Sequence, residues 1–240
     1  MTEIEKLQSL YDQSGSVVFF GGAGVSTESG IPDFRSEDGL YRRFIGISPE
    51  EILSREFFDA HPADFFDFYR TKILALDAVP NAAHFALADM EKKGKLLGVV
   101  TQNIDGLHQN AGSRRVAELH GSVHRNRCLV CGRRFDARFI EASEGVPTCP
   151  CGGIVKPEVV LYGESLPDQA IELSLGWITA ADLILVAGTS LTVYPAAGLL
   201  RYRKKGSRLA LINRDATPLD SEADLVIHAK VGETLAQLSV

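Results

Sequence analysis

The chain of 240 residues contains no internal repeat and no low-complexity stretch. No apolar run approaches the ~18 residues that a membrane-spanning helix needs. A basic excess is also missing. The 25 lysines and arginines stand against 31 aspartates and glutamates, a formal charge of −6. That balance argues against a general nucleic-acid binder, whereas an acidic surface attracts lysine-rich segments. The start, Met1-Thr2-Glu3-Ile4-Glu5-Lys6, has neither the basic region nor the apolar core of a signal peptide. The protein is therefore expected in the cytoplasm, without direct contact to nucleic acid or membrane; a monomer is expected, although nothing in the composition fixes the oligomeric state. Cysteine is absent outside positions 128–151, and in a reducing compartment clustered cysteines favour a metal over disulfides.

Short β-rich runs alternate with helical ones, which predicts an α/β fold with a parallel sheet. Strands are expected at 16–20, 96–101, 116–119, 183–187, 208–213 and 224–228. Their near-continuous apolar character fits strands covered on both faces. Helices are expected over 3–13, 81–93, 168–180, 195–204 and 232–239. Two stretches break the rhythm. Residues 36–79 are rich in aromatics (Phe57, Phe58, Phe65, Phe66, Phe68, Tyr69) and read as a helical module. Residues 123–156 hold the cysteines and read as a metal-stapled module. These two are expected to form a small domain beside a large one made of 1–35, 80–122 and 157–240, with a ligand cleft between them.

The first strand runs into Gly22-Ala23-Gly24-Val25-Ser26-Thr27. Glycines there allow a tight turn and close approach to a pyrophosphate, and a helix start would offer free N–H groups to the phosphates. Thr27 replaces the third glycine of the usual fingerprint, and no acidic residue follows about 20 residues on. Gly30-Ile31-Pro32-Asp33-Phe34-Arg35 then sets an aromatic ring beside a base. Such a ring can shield a reactive carbon from water, and Arg35 can neutralise phosphate charge.

Ligands of parallel sheets bind at the carboxyl ends of the strands. Four strands here end in polar clusters: Thr101-Gln102-Asn103-Ile104-Asp105, His120-Gly121, Gly188-Thr189-Ser190 and Asn213-Arg214-Asp215. Thr189 and Ser190 suit a helix cap or a phosphate contact. His120 is the histidine best placed to act as a general base, whereas His61 and His84 read as structural. Cys128-x-x-Cys131 and Cys149-x-Cys151 make a four-thiolate set suited to tetrahedral zinc. Four protein ligands leave no open position, so the zinc is expected to be structural. His124 is a possible substitute ligand should the short Cys149-x-Cys151 knuckle be strained.

Taken in order, the segments from Gly22 to Ser26 and Gly30 to Arg35, then Gln102-Asn103-Ile104-Asp105, His120-Gly121, the four cysteines, Gly163-Glu164, Gly188-Thr189-Ser190-Leu191 and Asn213 closely resemble the sirtuins, NAD-dependent protein deacylases of the silent information regulator type. The resemblance spans nearly the whole chain and implies a Rossmann-type large domain with a smaller zinc-and-helix domain. It implies NAD as co-substrate and one structural zinc per chain. Ala23, Thr27, Phe34, Arg35, Gln102, Thr189, Ser190, Asn213 and Val231 match NAD-binding positions. Phe34, Ile104 and Asp105 match the nicotinamide pocket. His120, itself against the cofactor, matches the general base, with Asn103 as its catalytic companion. Val160, Leu161, Gly163 and Glu164 resemble a loop that pairs with the substrate backbone, and Val193 lies opposite. The implied reaction moves the acyl group from lysine to ADP-ribose and releases nicotinamide. Members that prefer succinyl or malonyl groups carry a Tyr and an Arg three residues apart. Here Tyr69-Arg70-Thr71-Lys72 puts a lysine in place of that arginine, a poorer bidentate partner for a carboxylate, which favours acetyl over succinyl substrates.

Overall fold

The computed structural model describes residues 1–33 and 47–240. Its frame is a six-stranded sheet, entirely parallel, built from β1 (Val17–Gly21), β2 (Leu96–Thr101), β3 (Val116–Glu118), β7 (Leu183–Ala187), β8 (Arg208–Ile212) and β9 (Leu225–Ile227) in the order β3-β2-β1-β7-β8-β9. The chain builds outward from β1 to β3, then returns to the other side of β1 to lay down β7, β8 and β9. The direction of winding thus reverses between β1 and β7, which opens a crevice above their carboxyl ends.

Strand residues alternate between faces, and each face has its own apolar layer. Val17, Phe19, Leu185 and Ile212 pack with Leu7 and Tyr11 of α1 (Glu3–Gln13), Leu87 and Met90 of α5 (Ala82–Lys92) and Leu235 of α9 (Val231–Leu235). Val18, Phe20, Val186 and Leu211 pack with Ile178 of α8 (Asp168–Ala180) and with Leu199 and Leu200. Burial on both sides explains why the strands read as unbroken apolar runs. Residues 196–202 form a 3-10 helix where the sequence suggested an α-helix over 195–204. Strand β1 begins one residue later than expected, and α9 is shorter than the expected 232–239.

A third core stands apart from the sheet. It joins α2 (Pro49–Ile52), α3 (Arg55–Ala60), α4 (Pro62–Phe68) and the π-turn Tyr69–Ile73 to a three-stranded antiparallel sheet of β4 (Gly121–Cys128), β5 (Arg134–Phe135) and β6 (Val155–Val159), flanked by α7 (Ala137–Ala142). Ser48 and Ser54 cap α2 and α3, and Pro49 and Pro62 open α2 and α4, where a missing N–H costs nothing. The aromatic run closes into edge-to-face pairs, Phe58 with Phe65 at 5.0 Å and Phe65 with Phe66 at 5.2 Å, an arrangement that suits the ring quadrupole. Cys128, Cys149, Val123 and Val155 complete the same core. The antiparallel sheet was not foreseen, and the expected borders at 122/123 and 156/157 fall inside β4 and β6.

Candidate functional site

Two glycine turns meet at the crevice. Gly22 N–H donates to Ala187 O at 3.2 Å and Gly24 N–H to Gly188 O at 2.8 Å, which fastens the end of β1 to the end of β7. A Cβ at Gly24 would stand 2.7 Å from Gly188 Cα, so only glycine permits this approach. The backbone here makes two three-residue 3-10 turns, Ala23–Val25, which contains Gly24, and Thr27–Ser29. The expected helix start is therefore absent, and any anion here would meet local N–H groups and not a helix dipole.

At the end of β2, Gln102 Nε2 donates to Thr189 Oγ1 at 3.0 Å. Thr189 Oγ1 also accepts from Leu191 N, so this side chain closes its own turn and caps no helix. Ser26 ties the glycine loop to the segment after β2: its hydroxyl accepts from Asn103 Nδ2 at 3.0 Å and donates to Asp105 Oδ2 at 2.7 Å, while Asp105 Oδ1 accepts from Leu107 N at 2.9 Å. Asn103 and Ser26 are both buried. Ser26 was not singled out from the sequence. Its signal was the polar residue inside the glycine loop, whose partners lie more than 70 positions away.

His120 follows β3. Its Nδ1 lies 3.0 Å from the Gln102 carbonyl oxygen, which can only accept, so Nδ1 carries the proton and Nε2 holds the lone pair. Burial pushes the imidazole pKa down, against the opposing pull of that carbonyl. The ring is thus a neutral base at pH 7. The next residue must be glycine, because Gly121 has φ +76° and a Cβ would overlap the Glu158 carbonyl.

One cavity of about 390 Å³ collects these groups. Its sheet-side wall holds Ala23, Thr27, Gln102, Asn103, Ile104, Asp105 and His120. Thr189, Ser190 and Val193 from the segment after β7, Asn213 after β8 and Val231 at the start of α9 also line the cavity. Val160, Leu161, Gly163 and Glu164, which follow β6, line it as well, with Tyr69 and Lys72 of the π-turn. Arg70 lies over the Phe66 ring, 6.0 Å from its centroid. Phe34 and Arg35 lie outside the described residues. His124 is turned away from the cysteines, its Nε2 on Asp105 O at 2.9 Å. His84 and His108 are buried beneath the site with ring centroids 4.7 Å apart.

The four cysteine sulfurs lie within 4.8 Å of one another, with Cys128 and Cys151 at 3.4 Å and Cys131 and Cys149 at 3.6 Å. A tetrahedral zinc–thiolate centre with bonds of about 2.3 Å has edges of about 3.8 Å, so the donor set and its spacing fit zinc. Val130 N and Cys131 N donate to Cys128 Sγ, which favours its thiolate form. All four ligands come from protein, as a structural site requires.

Fold and site together define an α/β protein with a dinucleotide-type crevice and a cysteine metal site. The model of the Sir2 family matches residues 22–195. An NAD-dependent protein deacetylase of Clostridium acetobutylicum is 56% identical over 239 residues, 98% of this chain and 97% of that one. Among solved structures, a Sir2 complex with a deacetylated p53 peptide and 3'-O-acetyl ADP ribose superposes with a TM-score of 0.90 at 37% identity, covering 98% of this chain and 97% of that one. A Sir2 complex with a p53 peptide and NAD+ gives 0.86 at 38% identity, covering 98% and 96%. The chain belongs to the Sir2 family.

Proposed function

We propose that this chain is an NAD-dependent protein-lysine deacetylase, which transfers the acyl group of a modified lysine to ADP-ribose and releases nicotinamide. The observation that carries the reading is His120, a buried neutral imidazole with Nδ1–H held by Gln102 O, in the cavity wall between the glycine turn and the 160–164 segment. When bound, NAD would supply the ribose carbon from which nicotinamide leaves and to which the acyl oxygen adds. The cradle fits such a ligand: the interlocked Gly24 and Gly188 leave bare backbone at the crevice.

His120 Nε2 removes a proton from a ribose hydroxyl. Asn103 works beside it, fixed by Ser26. Ala23, Thr27, Gln102, Thr189, Ser190, Asn213 and Val231 hold the cofactor, joined by Phe34 and Arg35. Ile104 and Asp105 line the nicotinamide end. The substrate is an acyl-lysine segment of a protein, lying between Val193 and the 160–164 edge. Acetyl is preferred to succinyl, because Lys72, at the cavity wall, replaces a guanidinium that would grip a carboxylate in two places. The chain divides into a sheet domain and a small helical and zinc domain, with the borders of the cysteine module at the ends of β4 and β6. It works as a monomer in the cytoplasm. Among the described residues no helix is long and apolar enough to cross a membrane.

Nicotinamide release from NAD and an acetyl-lysine peptide tests the reading. Release should need both reagents and drop by about 10²- to 10⁴-fold in His120→Ala. Full activity in that variant, or protein-bound ADP-ribose in place of free acetyl-ADP-ribose by mass spectrometry, would sink it.

A further inference from the structure

Lys156 is a buried cation with no part in the chemistry above. It lies in β6 with 9% exposure. Its ammonium donates to Pro157 O at 3.2 Å, Val159 O at 3.1 Å and Glu164 Oε2 at 3.1 Å, which uses all three of its donors. Glu164 Oε2 also accepts from Leu161 N at 2.9 Å, and Oε1 accepts from Arg55 Nη1 at 3.2 Å. The Glu164 carboxylate is therefore fully engaged by Leu161 of its own loop, Lys156 of β6 and Arg55 of α3.

The loop's backbone is spent in the same way. Val160 N–H donates to His120 O, Tyr162 N–H to Leu53 O and Glu164 N–H to Leu161 O, while Tyr162 O accepts from Arg55 N. With Leu161 N on Glu164, the one N–H of residues 160–164 left without a partner among the described residues is that of Gly163, held at φ +90°. The loop cannot offer a whole strand edge. It presents one donor, with the Val160 and Gly163 carbonyls beside it.

We propose that Lys156 is a positioning residue for the substrate chain: through Glu164 it holds the 160–164 loop in the shape whose single open N–H, on Gly163, receives a backbone carbonyl of the peptide flanking the acyl-lysine. This rests on the deacetylase reading above. Lys156 touches neither the peptide nor NAD. An aliphatic side chain there would leave Glu164 without its buried counter-charge and free it to turn to water. The loop would then lose its register, while the crevice around the glycine turn and His120 would keep its own hydrogen bonds.

The test compares kcat/KM for an acetyl-lysine peptide of about eleven residues, long enough to cross the loop in extended form, with that for a single acetyl-lysine blocked at both ends. In Lys156→Met the ratio of peptide to single residue should fall about tenfold through the peptide KM, with kcat and the NAD KM within about twofold of wild type. Arg55→Gln, an exposed change that leaves the fold intact, should shift the ratio the same way by about threefold. In the unaltered protein, reducing one flanking carbonyl of the peptide at a time to methylene should cost about tenfold at one position only. Parallel losses on both substrates, an unchanged ratio in both variants, or no sensitive carbonyl would overturn the inference. An unaltered protein that releases no nicotinamide with any acyl-lysine substrate would instead overturn the deacetylase reading.

Discussion

Ser26 shows how much of the site depends on one small hydroxyl. It is both acceptor and donor, between Asn103 and Asp105, and it is 1% exposed. Ser26→Ala leaves an amide and a carboxylate each short of a partner in a buried setting, where an unsatisfied group costs about 1–3 kcal/mol. Most of that cost should appear as misplacement of Asn103. Nicotinamide release should fall by about 10- to 100-fold with a far-UV spectrum like that of the unaltered protein; a loss below threefold would show that the relay does not matter. Lys72 gives a second test at this scale. Lys72→Arg restores a planar fork for a carboxylate, and the succinyl-to-acetyl rate ratio should rise by about tenfold, or ~1.4 kcal/mol. An unchanged ratio would place acyl selection elsewhere.

Among the elements, the turns matter more than the strands they join. The Gly24–Gly188 contact sets the distance between β1 and β7 at the mouth of the crevice. Gly24→Ala drives a methyl group into the Gly188 backbone, so cofactor affinity should fall by at least tenfold, measured by calorimetry with NAD. Binding as tight as that of the unaltered chain would show that the crevice yields at no cost. The cysteine hairpin behaves differently, because two of its four sulfurs belong to the aromatic core: Cys128 and Cys149 pack with Phe57, Phe58 and Val155, whereas Cys131 and Cys151 are exposed. Its metal therefore holds a core together. One zinc per chain is expected by elemental analysis. Chelation should lower the melting temperature and expose the β4–β6 sheet to hydrogen exchange before the six-stranded sheet; exchange that rises evenly over both sheets would contradict a separate core.

For the whole molecule, two buried imidazoles contribute to the acid limb of stability beside the paired carboxylates Glu164, Asp182 and Asp224. Burial pushes the pKa of His84 down to about 4 and that of His108 down to about 3, against about 6.5 in an unfolded chain. The unfolded state therefore binds more protons than the native one at pH values below about 6.5. Stability from these groups is complete above that pH and is lost as pH falls toward 4 and 3, by up to about 1.4 kcal/mol per pH unit for each ring. Denaturant midpoints measured from pH 7 to 4.5 should decline, and His84→Gln should flatten the decline. An equally steep decline in that variant would show that the carboxylates set the limb.

The sequence alone determined what depends on local periodicity and spacing. The limits of α8 and of β7 were read from it to the residue, because each strand buried on both faces must be apolar throughout and each helix repeats its own stripe. The cysteine spacing likewise specifies a four-sulfur site. Tertiary structure alone decided which distant groups share protons and charge. Ser26 meets Asp105, Gln102 meets His120, and Lys156 reaches the loop that ends at Glu164. It also decided that residues 121–159 pair as an antiparallel sheet, since β4 carries Arg125, Asn126 and Arg127 and follows no apolar alternation. Such contacts are made by atoms brought together only when the chain closes on itself, so no window of neighbouring residues contains the energy that selects them.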